Sequence, residues 1–269
     1  MNELLLLALA MLATGAVGGV LAGLFGIGGG IVIVPALDAA LSVIGTDPAI
    51  RMHIAVATSL ATIIPTSVSS SRVHHRRDSV DFELVRRWAI FVLLGALAGA
   101  WLASRVHSDV LSLVFAVMAF IIAIKLLLPL DGKTLSNDVP RGAAISSVPF
   151  AIGGISSMMG IGGGTLSVAA LTLLNQPIHR AVGTAALFGL VISLPGTVGF
   201  VVTGFGDPRL PPGSLGYVNL IGFALISPTT WLLAPVGAAL AHRLSQRQLS
   251  LMFGAFLFIV SLRMLSRAL

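Results

Sequence analysis

Residues 24–35 have the sequence Leu-Phe-Gly-Ile-Gly-Gly-Gly-Ile-Val-Ile-Val-Pro, and the pentapeptide Gly-Ile-Gly-Gly-Gly returns at residues 160–164. Both copies lie inside long apolar segments. Each glycine inside a helix costs about 1 kcal/mol relative to alanine, so three in a row predict a break in the helix. In a bilayer, unwound backbone persists only where protein surrounds it or where it lines a cavity. Paired breaks in the two halves of a membrane chain are typical of a transport site near the midplane.

The composition is that of an integral membrane protein. The 269 residues are 56% hydrophobic and only 10% charged, with a mean hydropathy of +1.01, whereas soluble domains carry about 25% charged residues. The apolar segments are continuous runs of about 20 residues, which favours spanning helices over a β-barrel. We therefore expect an all-α integral membrane protein. The absence of cysteine excludes disulfides and thiolate chemistry.

Matching blocks of sequence predict two homologous repeats. The block His53-Ile-Ala-Val-Ala-Thr58 matches His179-Arg-Ala-Val-Gly-Thr184, and residues 99–105 match residues 237–243. Together with the glycine motif, three blocks recur in the same order, which is the signature of an internal repeat. We assign the first membrane repeat to residues 1–130, a linker to residues 131–141 and the second membrane repeat to residues 142–269.

The number of membrane crossings depends on how each glycine-broken segment is counted. If it counts as two crossings, each half has five and the repeats are inverted; if it counts as one, each half has four and the repeats are parallel. We therefore expect 8–10 transmembrane segments, with a glycine-broken helix pair in each half. The positive-inside rule places the basic residues between Arg72 and Arg87 in the cytoplasm under both schemes. We favour five plus five and inverted repeats, because residues 4–44 are long enough for two spans of about 20 residues.

The two glycine motifs are the predicted substrate site. Consecutive glycines that open a helix present backbone N–H groups with no side chain in the way, and such nests bind anions. The helix dipole adds about half a positive charge at the same end. If the repeat brings the motifs together, they form a site for a small anion near the midplane without a buried arginine. The candidate substrate-binding glycines are Gly28, Gly29, Gly30, Gly162, Gly163 and Gly164.

Polar side chains near the broken segments are further candidates. The hydroxyl candidates on the spans that follow are Thr58, Ser59 and Thr184. These hydroxyls either complete an anion shell or bond back to their own helix carbonyls. The titratable candidates for proton coupling are His53, His179 and Asp38. For these three, a place at the helix ends near the membrane surface is the alternative interpretation, and both interpretations stay open.

The chain resembles the sulfite exporter TauE/SafE family of membrane permeases. The resemblance rests on the doubled glycine motif, Pro35 after the first copy, the Ala-Val-x-Thr blocks ending at Thr58 and Thr184, and the Gly-x-x-Leu-Ala-x-Arg blocks ending at Arg105 and Arg243. It covers essentially the whole chain. It implies a small inner-membrane transporter of sulfur-containing anions such as sulfite or organosulfonates, commonly an exporter. The second copy departs from the first, since Thr165 follows it and no proline stands at the position equivalent to Pro35.

We predict a secondary transporter that exports such an anion by alternating access around the two motifs. A passive anion channel and a transporter of another small organic anion, such as a carboxylate, are the alternatives. An enzyme is not expected, because the spans hold no nucleophile–base pair, zinc motif or paired carboxylates. The expected partners are the anion, the lipid bilayer and protons as a coupling ion, without nucleic acid, metal or cofactor. A homo-oligomer stays open.

Overall fold

The computed structural model describes residues 2–25, 29–76, 78–128, 144–174, 176–241 and 245–268, and nearly all of them are helical. The predicted linker, residues 131–141, lies outside the described residues, as does Gly28. The described helices are α1 (Asn2–Phe25), α2 (Gly30–Val43), α3 (Pro48–His75), α4 (Phe82–Ala103), α5 (Ser108–Leu127), α6 (Ala144–Met159), α7 (Gly164–Leu173), α8 (Ile178–Gly204), α9 (Leu220–Ala241) and α10 (Gln246–Ala268).

The helices confirm the prediction of an all-helical membrane protein, apart from one small β-hairpin. Five of the described helices, α3, α4, α5, α8 and α9, are long and apolar enough to cross a membrane. The apolar stretches of α1, α2, α7 and α10 are shorter. The basic segment between Arg72 and Arg87 is mostly helical, because α3 continues to His75 and α4 begins at Phe82.

Carboxylate caps fix where α3 and α4 begin. The side chain of Asp47 accepts a hydrogen bond from the Ala49 N–H at 2.9 Å, directly before Pro48 at the first helical position. The side chain of Asp81 accepts one from the Leu84 N–H at 3.0 Å. Such caps satisfy N–H groups that have no partner within the helix, and proline is favoured in the first turn because it lacks that N–H.

Helices α1 and α2 form an antiparallel hairpin that turns at the first glycine motif. A Cβ added to Gly18 would lie 3.3 Å from Cγ1 of Ile33, and one added to Gly29 would lie 3.4 Å from the Cβ of Ala22. Residues this far apart in sequence meet only if the chain reverses. The 14 residues of α2 extend about 21 Å, less than the hydrocarbon core of about 30 Å. The first broken segment is therefore a reversal and not one kinked crossing.

Helices α6 and α7 also reverse the chain. Gly95 and Gly99 of α4 approach Phe150 and Gly154 of α6 in the same order, so α6 runs parallel to α4. After the turn, α7 returns toward the end of the bundle where α5 finishes, since Nζ of Lys125 donates a hydrogen bond to the Ala169 carbonyl at 3.1 Å. With 10 residues, α7 is about 15 Å long. Each glycine motif is thus the tip of a helical hairpin.

Helices α3 and α8 pack against each other and run in opposite directions. Near the start of α3, Nε2 of His53 donates a hydrogen bond to the carbonyl of Ala103, at the end of α4. Near the start of α8, Gly183 packs against the backbone of Ser79, just before α4 begins. Since these contacts lie at opposite ends of α4, α3 and α8 begin at opposite ends of the bundle.

The remaining helices pair across the two halves. Helix α1 packs along α9, α4 packs along α6, and α5 packs along α10. Glycines allow the close approach, as the sequence pattern of small residues favours. A Cβ on Gly99 would overlap the carbonyl oxygen of Gly154, and a Cβ on Gly237 would overlap that of Val20.

A β-hairpin between α8 and α9 was not expected from the sequence. Strands β1 (Ser214–Leu215) and β2 (Val218–Asn219) pair antiparallel. Gly216 has φ +54° in the turn, and a Cβ there would overlap the carbonyl oxygen of Val201. The hairpin carries Tyr217 to the His53 ring, with ring centroids 5.2 Å apart.

Candidate functional site

The second hairpin tip is built from glycines that no other residue could replace without strain. Helix α6 ends at Met159 and α7 begins at Gly164. Between them, Gly160, Gly162 and Gly163 have φ of +68°, +65° and +77°. Left-handed backbone of this kind is open to glycine and strained for other residues. The predicted break in the helix is therefore confirmed at this motif.

The first tip repeats the same geometry at the residues described. Gly29 precedes α2 with φ +76° and ψ −7°, and Gly163 precedes α7 with φ +77° and ψ −9°. Gly30 and Gly164 are the first residues of their helices. The first backbone N–H groups of a helix have no partner within it, so both tips present donors at the positive end of a helix dipole.

The two tips touch. A Cβ on Gly30 would overlap the carbonyl oxygen of Gly160 and would lie 2.9 Å from the Cα of Ile161. Ser59 of α3 also holds the second tip, since its hydroxyl donates a buried hydrogen bond to the Gly160 carbonyl at 2.7 Å. Ser59 therefore donates to the second tip and not to a carbonyl of its own helix.

The meeting point lies about halfway along the two long central helices. A Cβ on Gly162 would lie 2.7 Å from Cγ2 of Ile63, which is near the middle of α3. A Cβ on Gly163 would overlap Cδ1 of Ile192, which is near the middle of α8. Both helices are long enough to cross a membrane. The tips are thus placed at mid-depth of the bundle.

Thr58 and Thr184 make equivalent contacts, each with the opposite half. The Thr58 hydroxyl accepts a hydrogen bond from the Asn219 N–H at 2.9 Å, just before α9. The Thr184 hydroxyl accepts one from the Asp81 N–H at 3.0 Å, just before α4. The side chains of Asn219 and Asp81 then cap their helices three residues on, at Gly222 and Leu84. Sequence reasoning missed Asn219 and Asp81.

The titratable candidates lie away from the tips. His53 is buried, Nε2 donates to the Ala103 carbonyl at 3.0 Å, and Nδ1 has no hydrogen-bond partner among the described residues. Asp38 is buried and forms an ion pair with Nε of Arg51 at 2.8 Å. His179 lies in the first turn of α8. Across the described part of the chain, no group of three His, Asp or Glu side chains is placed to hold a metal ion.

An ion pair follows α8 at the end of the bundle where His53 lies. Oδ2 of Asp207 is 2.7 Å from Nη2 of Arg209. The hydrogen bond from Arg209 lowers the pKa of the Asp207 carboxyl to about 2. Burial raises the pKa of the neighbouring Tyr217 phenol, and the negative charge of Asp207 adds to the rise. These residues lie between two spans, and the lowered pKa of Asp207 keeps its carboxylate charged beside Arg209 at neutral pH.

Buried hydroxyls lie on the three helices at the second tip. Only one of these residues, Thr165, was singled out from the sequence, as a departure from the first motif. These side-chain oxygens have no hydrogen-bond partner in the described ranges: Ser156, Ser157, Thr165, Ser167, Ser193 and Thr197. Other buried hydroxyls bond back to their own helices, as Thr62 does to the Ser59 carbonyl at 2.7 Å. The equivalent first-half positions of four of them are Ala22, Gly23, Ile31 and Ile33, which carry no hydroxyl.

A helical bundle of several spans, with two broken segments that touch at mid-depth, has the architecture of a membrane transporter. The chain belongs to the sulfite exporter TauE/SafE family, whose model matches residues 11–264. This confirms the resemblance inferred from the sequence motifs.

Relatives with the same general description match along nearly the whole chain. A probable membrane transporter protein of Haemophilus influenzae is 33% identical, over 94% of this chain and 96% of the relative. The probable membrane transporter protein YunE of Bacillus subtilis is 24% identical, over 95% and 96%. One from Methanocaldococcus jannaschii is also 24% identical, over 98% and 97%. No solved structure matches the chain significantly.

Proposed function

We propose that the protein is a secondary transporter that exports a small sulfur-containing anion, such as sulfite or an organosulfonate, across the inner membrane. The observation that carries the proposal is the contact between Gly30 of the first tip and Gly160 of the second. Two broken segments that meet at mid-depth are where repeat-built transporters hold their substrates. The family adds the sulfur chemistry by its description as sulfite exporters.

The tips supply the anion chemistry in this proposal. Helices α2 and α7 both begin at the meeting point, so their positive dipole ends converge there. The proposed substrate-binding glycines are Gly28, Gly29, Gly30, Gly162, Gly163 and Gly164. Thr58 and Thr184 accept hydrogen bonds from backbone N–H groups, so each keeps its own hydroxyl proton to donate. Ser59 donates to the Gly160 carbonyl, so its part is to hold the second tip in place.

We further propose that residues 1–130 and 142–269 are inverted repeats. Each hairpin returns to the side from which it came, and the three helices that follow then cross the membrane. An odd number of net crossings inverts the second half relative to the first. The opposite directions of α3 and α8 support this scheme, and so do the matched contacts of Thr58 and Thr184 with Asn219 and Asp81. Such repeats exchange roles when a transporter opens to one side and then to the other.

Protons are the proposed coupling ion, and His53 is the candidate that carries them. Its ring is buried near the end of the bundle that holds Asp207, and its Nδ1 has no partner among the described residues. His179 at the equivalent position, and the Asp38–Arg51 ion pair, are the other candidates. If His53 carries the proton, His53→Ala flattens the pH dependence of transport; an unchanged pH profile would assign His53 a purely structural part.

Counterflow in proteoliposomes tests the transporter directly. Vesicles that hold the purified protein are loaded with unlabelled sulfite or methanesulfonate, and uptake of the labelled anion is followed. A transporter gives saturable uptake that the internal anion accelerates. Flux that rises linearly with concentration and ignores the internal anion would instead identify a passive channel, and acceleration by acetate alone would identify a carboxylate transporter.

A further inference from the structure

Hydroxyls on three helices lie beside the second tip. A Cβ on Gly163 would lie 3.5 Å from Oγ of Ser156, so the Ser156 hydroxyl faces the first turn of α7. A Cβ on Gly196 of α8 would lie 2.9 Å from Oγ of Ser157. Ser193 lies one turn before Gly196 on the same face of α8, and Thr165 and Ser167 lie in the first turn of α7. Three helices therefore bring their hydroxyls to the second tip.

These hydroxyls are costly unless something binds them. Ser156, Ser157, Ser167 and Ser193 are completely buried, and Thr165 is 6% exposed. A buried polar group left without a hydrogen bond costs about 1–3 kcal/mol. Serine and threonine in helices usually avoid this cost by bonding to a carbonyl one turn back, as Thr62 and Thr66 do in α3. Several hydroxyls in one place that do not do so indicate a ligand site.

The chemistry of the cluster favours an oxyanion. Residues 142–179 and 181–206 contain no Asp, Glu, Lys or Arg, so α6, α7 and α8 after Arg180 bring neutral donors only. The first turn of α7 adds backbone N–H groups and a positive dipole end, which favour an anion over a cation. A ligand with several acceptor oxygens uses many hydroxyl donors at once.

We propose that the second tip is the primary part of the binding site, and that the hydroxyls of Ser156, Ser157 and Ser193 hold the oxygens of a small oxyanion such as a sulfite or sulfonate group. This inference rests on the proposed function and deepens it. The first tip packs against the second and completes the enclosure. Its positions equivalent to those on α6 and in the first turn of α7 carry no hydroxyl: Ala22, Gly23, Ile31 and Ile33. Only Ser193 has a hydroxyl counterpart in the first half, Ser67 on α3.

Titration of the purified full-length protein in lipid nanodiscs tests the proposal. The probes are sulfite, methanesulfonate and acetate, each measured with Ser156→Ala and Ser193→Ala. Loss of one hydrogen bond to a charged ligand weakens affinity by about 10- to 100-fold. Without ligand, the same variants melt at or above the wild-type temperature, because an unpartnered hydroxyl is removed. Ser261→Ala is the matched control, since that buried hydroxyl is satisfied by the Phe258 carbonyl at 2.8 Å; it leaves anion affinity unchanged.

Each other outcome contradicts a distinct claim. Wild-type affinity for sulfite in both variants, or melting temperatures that fall as far as in Ser261→Ala, would overturn the hydroxyl site. Variants in which only the Na⁺ dependence of anion binding is lost would show a cation site instead. Affinity for acetate alone that depends on the hydroxyls supports this site and contradicts the sulfur assignment. A wild type that binds none of the three anions contradicts both.

Discussion

The two hairpin tips have the same backbone and different side chains. Gly29 and Gly163 precede their second helices with nearly identical left-handed dihedral angles. Around the first tip the side chains are apolar, with Ala22, Ile31 and Ile33 all buried. Beside the second tip lie buried hydroxyls such as that of Ser156, together with the apolar side chains of Ile63 and Ile192. The comparison shows that the two tips share a backbone conformation and differ in the polar side chains beside it.

The largest expected effect is a difference in anion binding between variants of the second tip and variants of the first. Gly163→Leu places a side chain on Ile192 and strains a left-handed residue, so it abolishes both anion binding and transport. Gly29→Leu strains the first tip against the Gly18 carbonyl, so it abolishes transport but weakens binding much less than Gly163→Leu does. Titration and counterflow on the same preparations measure the two properties.

Gly45→Leu is the matched control for backbone strain. Gly45 has φ +73°, and a Cβ there meets nothing within 4 Å. We expect it to bind and transport the anion like the wild type. Equal loss of binding in Gly29→Leu and Gly163→Leu would contradict the assignment of binding to the second tip.

A smaller effect is expected at the equivalent hydrogen bonds that Thr58 and Thr184 make in the two halves. Thr58→Val and Thr184→Val each remove the acceptor of a backbone N–H, the buried one of Asn219 or the part-buried one of Asp81. Each change costs about 1–3 kcal/mol of unfolding free energy. Because the contacts are equivalent, the two losses are similar. Thr230→Val is the control, since that hydroxyl bonds only within α9; denaturant unfolding in detergent compares all three.

Ser59→Ala has a smaller effect and touches only one tip. The change removes the donor to the Gly160 carbonyl, and one such bond contributes about 1 kcal/mol. The equivalent residue in the second half is Ala185, so no matching bond supports the first tip. We expect lower thermal stability with weaker anion binding. Unchanged binding would show that this bond does not position the second tip.

The smallest effect concerns the ion pair between Asp207 and Arg209, in the segment that connects α8 to α9. Asp207→Asn removes a surface ion pair, which contributes less than about 1 kcal/mol. Because the Asp207 pKa is lowered to about 2, its contribution is present above the usual pKa of the carboxyl and is lost only as pH falls toward 2. The stability difference between wild type and Asp207→Asn is therefore the same at pH 5 and pH 8. A difference that shrinks between these values would contradict the lowered pKa.

The sequence predicted the backbone of the site better than its side chains. Three adjacent glycines in an apolar segment leave few backbone choices, so the break at residues 160–164 and the start of α2 at Gly30 could be found without a structure. The hairpin geometry could not, because crossing counts of four and five fit the same hydropathy. The contact that shows the reversal, Gly18 with Ile33, depends on tertiary packing.

The spacing of serine and threonine residues in the sequence could not predict which groups their hydroxyls contact. Thr58 and Thr184 were found because they repeat, yet their contacts are with Asn219 and Asp81, on elements distant in sequence. Ser156 and Ser193 escaped because serine in a helix usually bonds to its own backbone. For Ser156 the available signal was the departure of the second half from the first, where the equivalent residue is Ala22. Ser193 gave no such signal, because its equivalent is Ser67.

The absence of cysteine allows one measurement that tests alternating access at the second tip. A single Ser193→Cys in proteoliposomes is treated with a membrane-impermeant maleimide from one side or the other, with and without methanesulfonate. We predict labelling from both sides, slowed by the sulfonate, while Ser261→Cys stays unlabelled. Labelling from one side only, or at a rate that the sulfonate does not change, would contradict an alternately exposed anion site where the two hairpins meet.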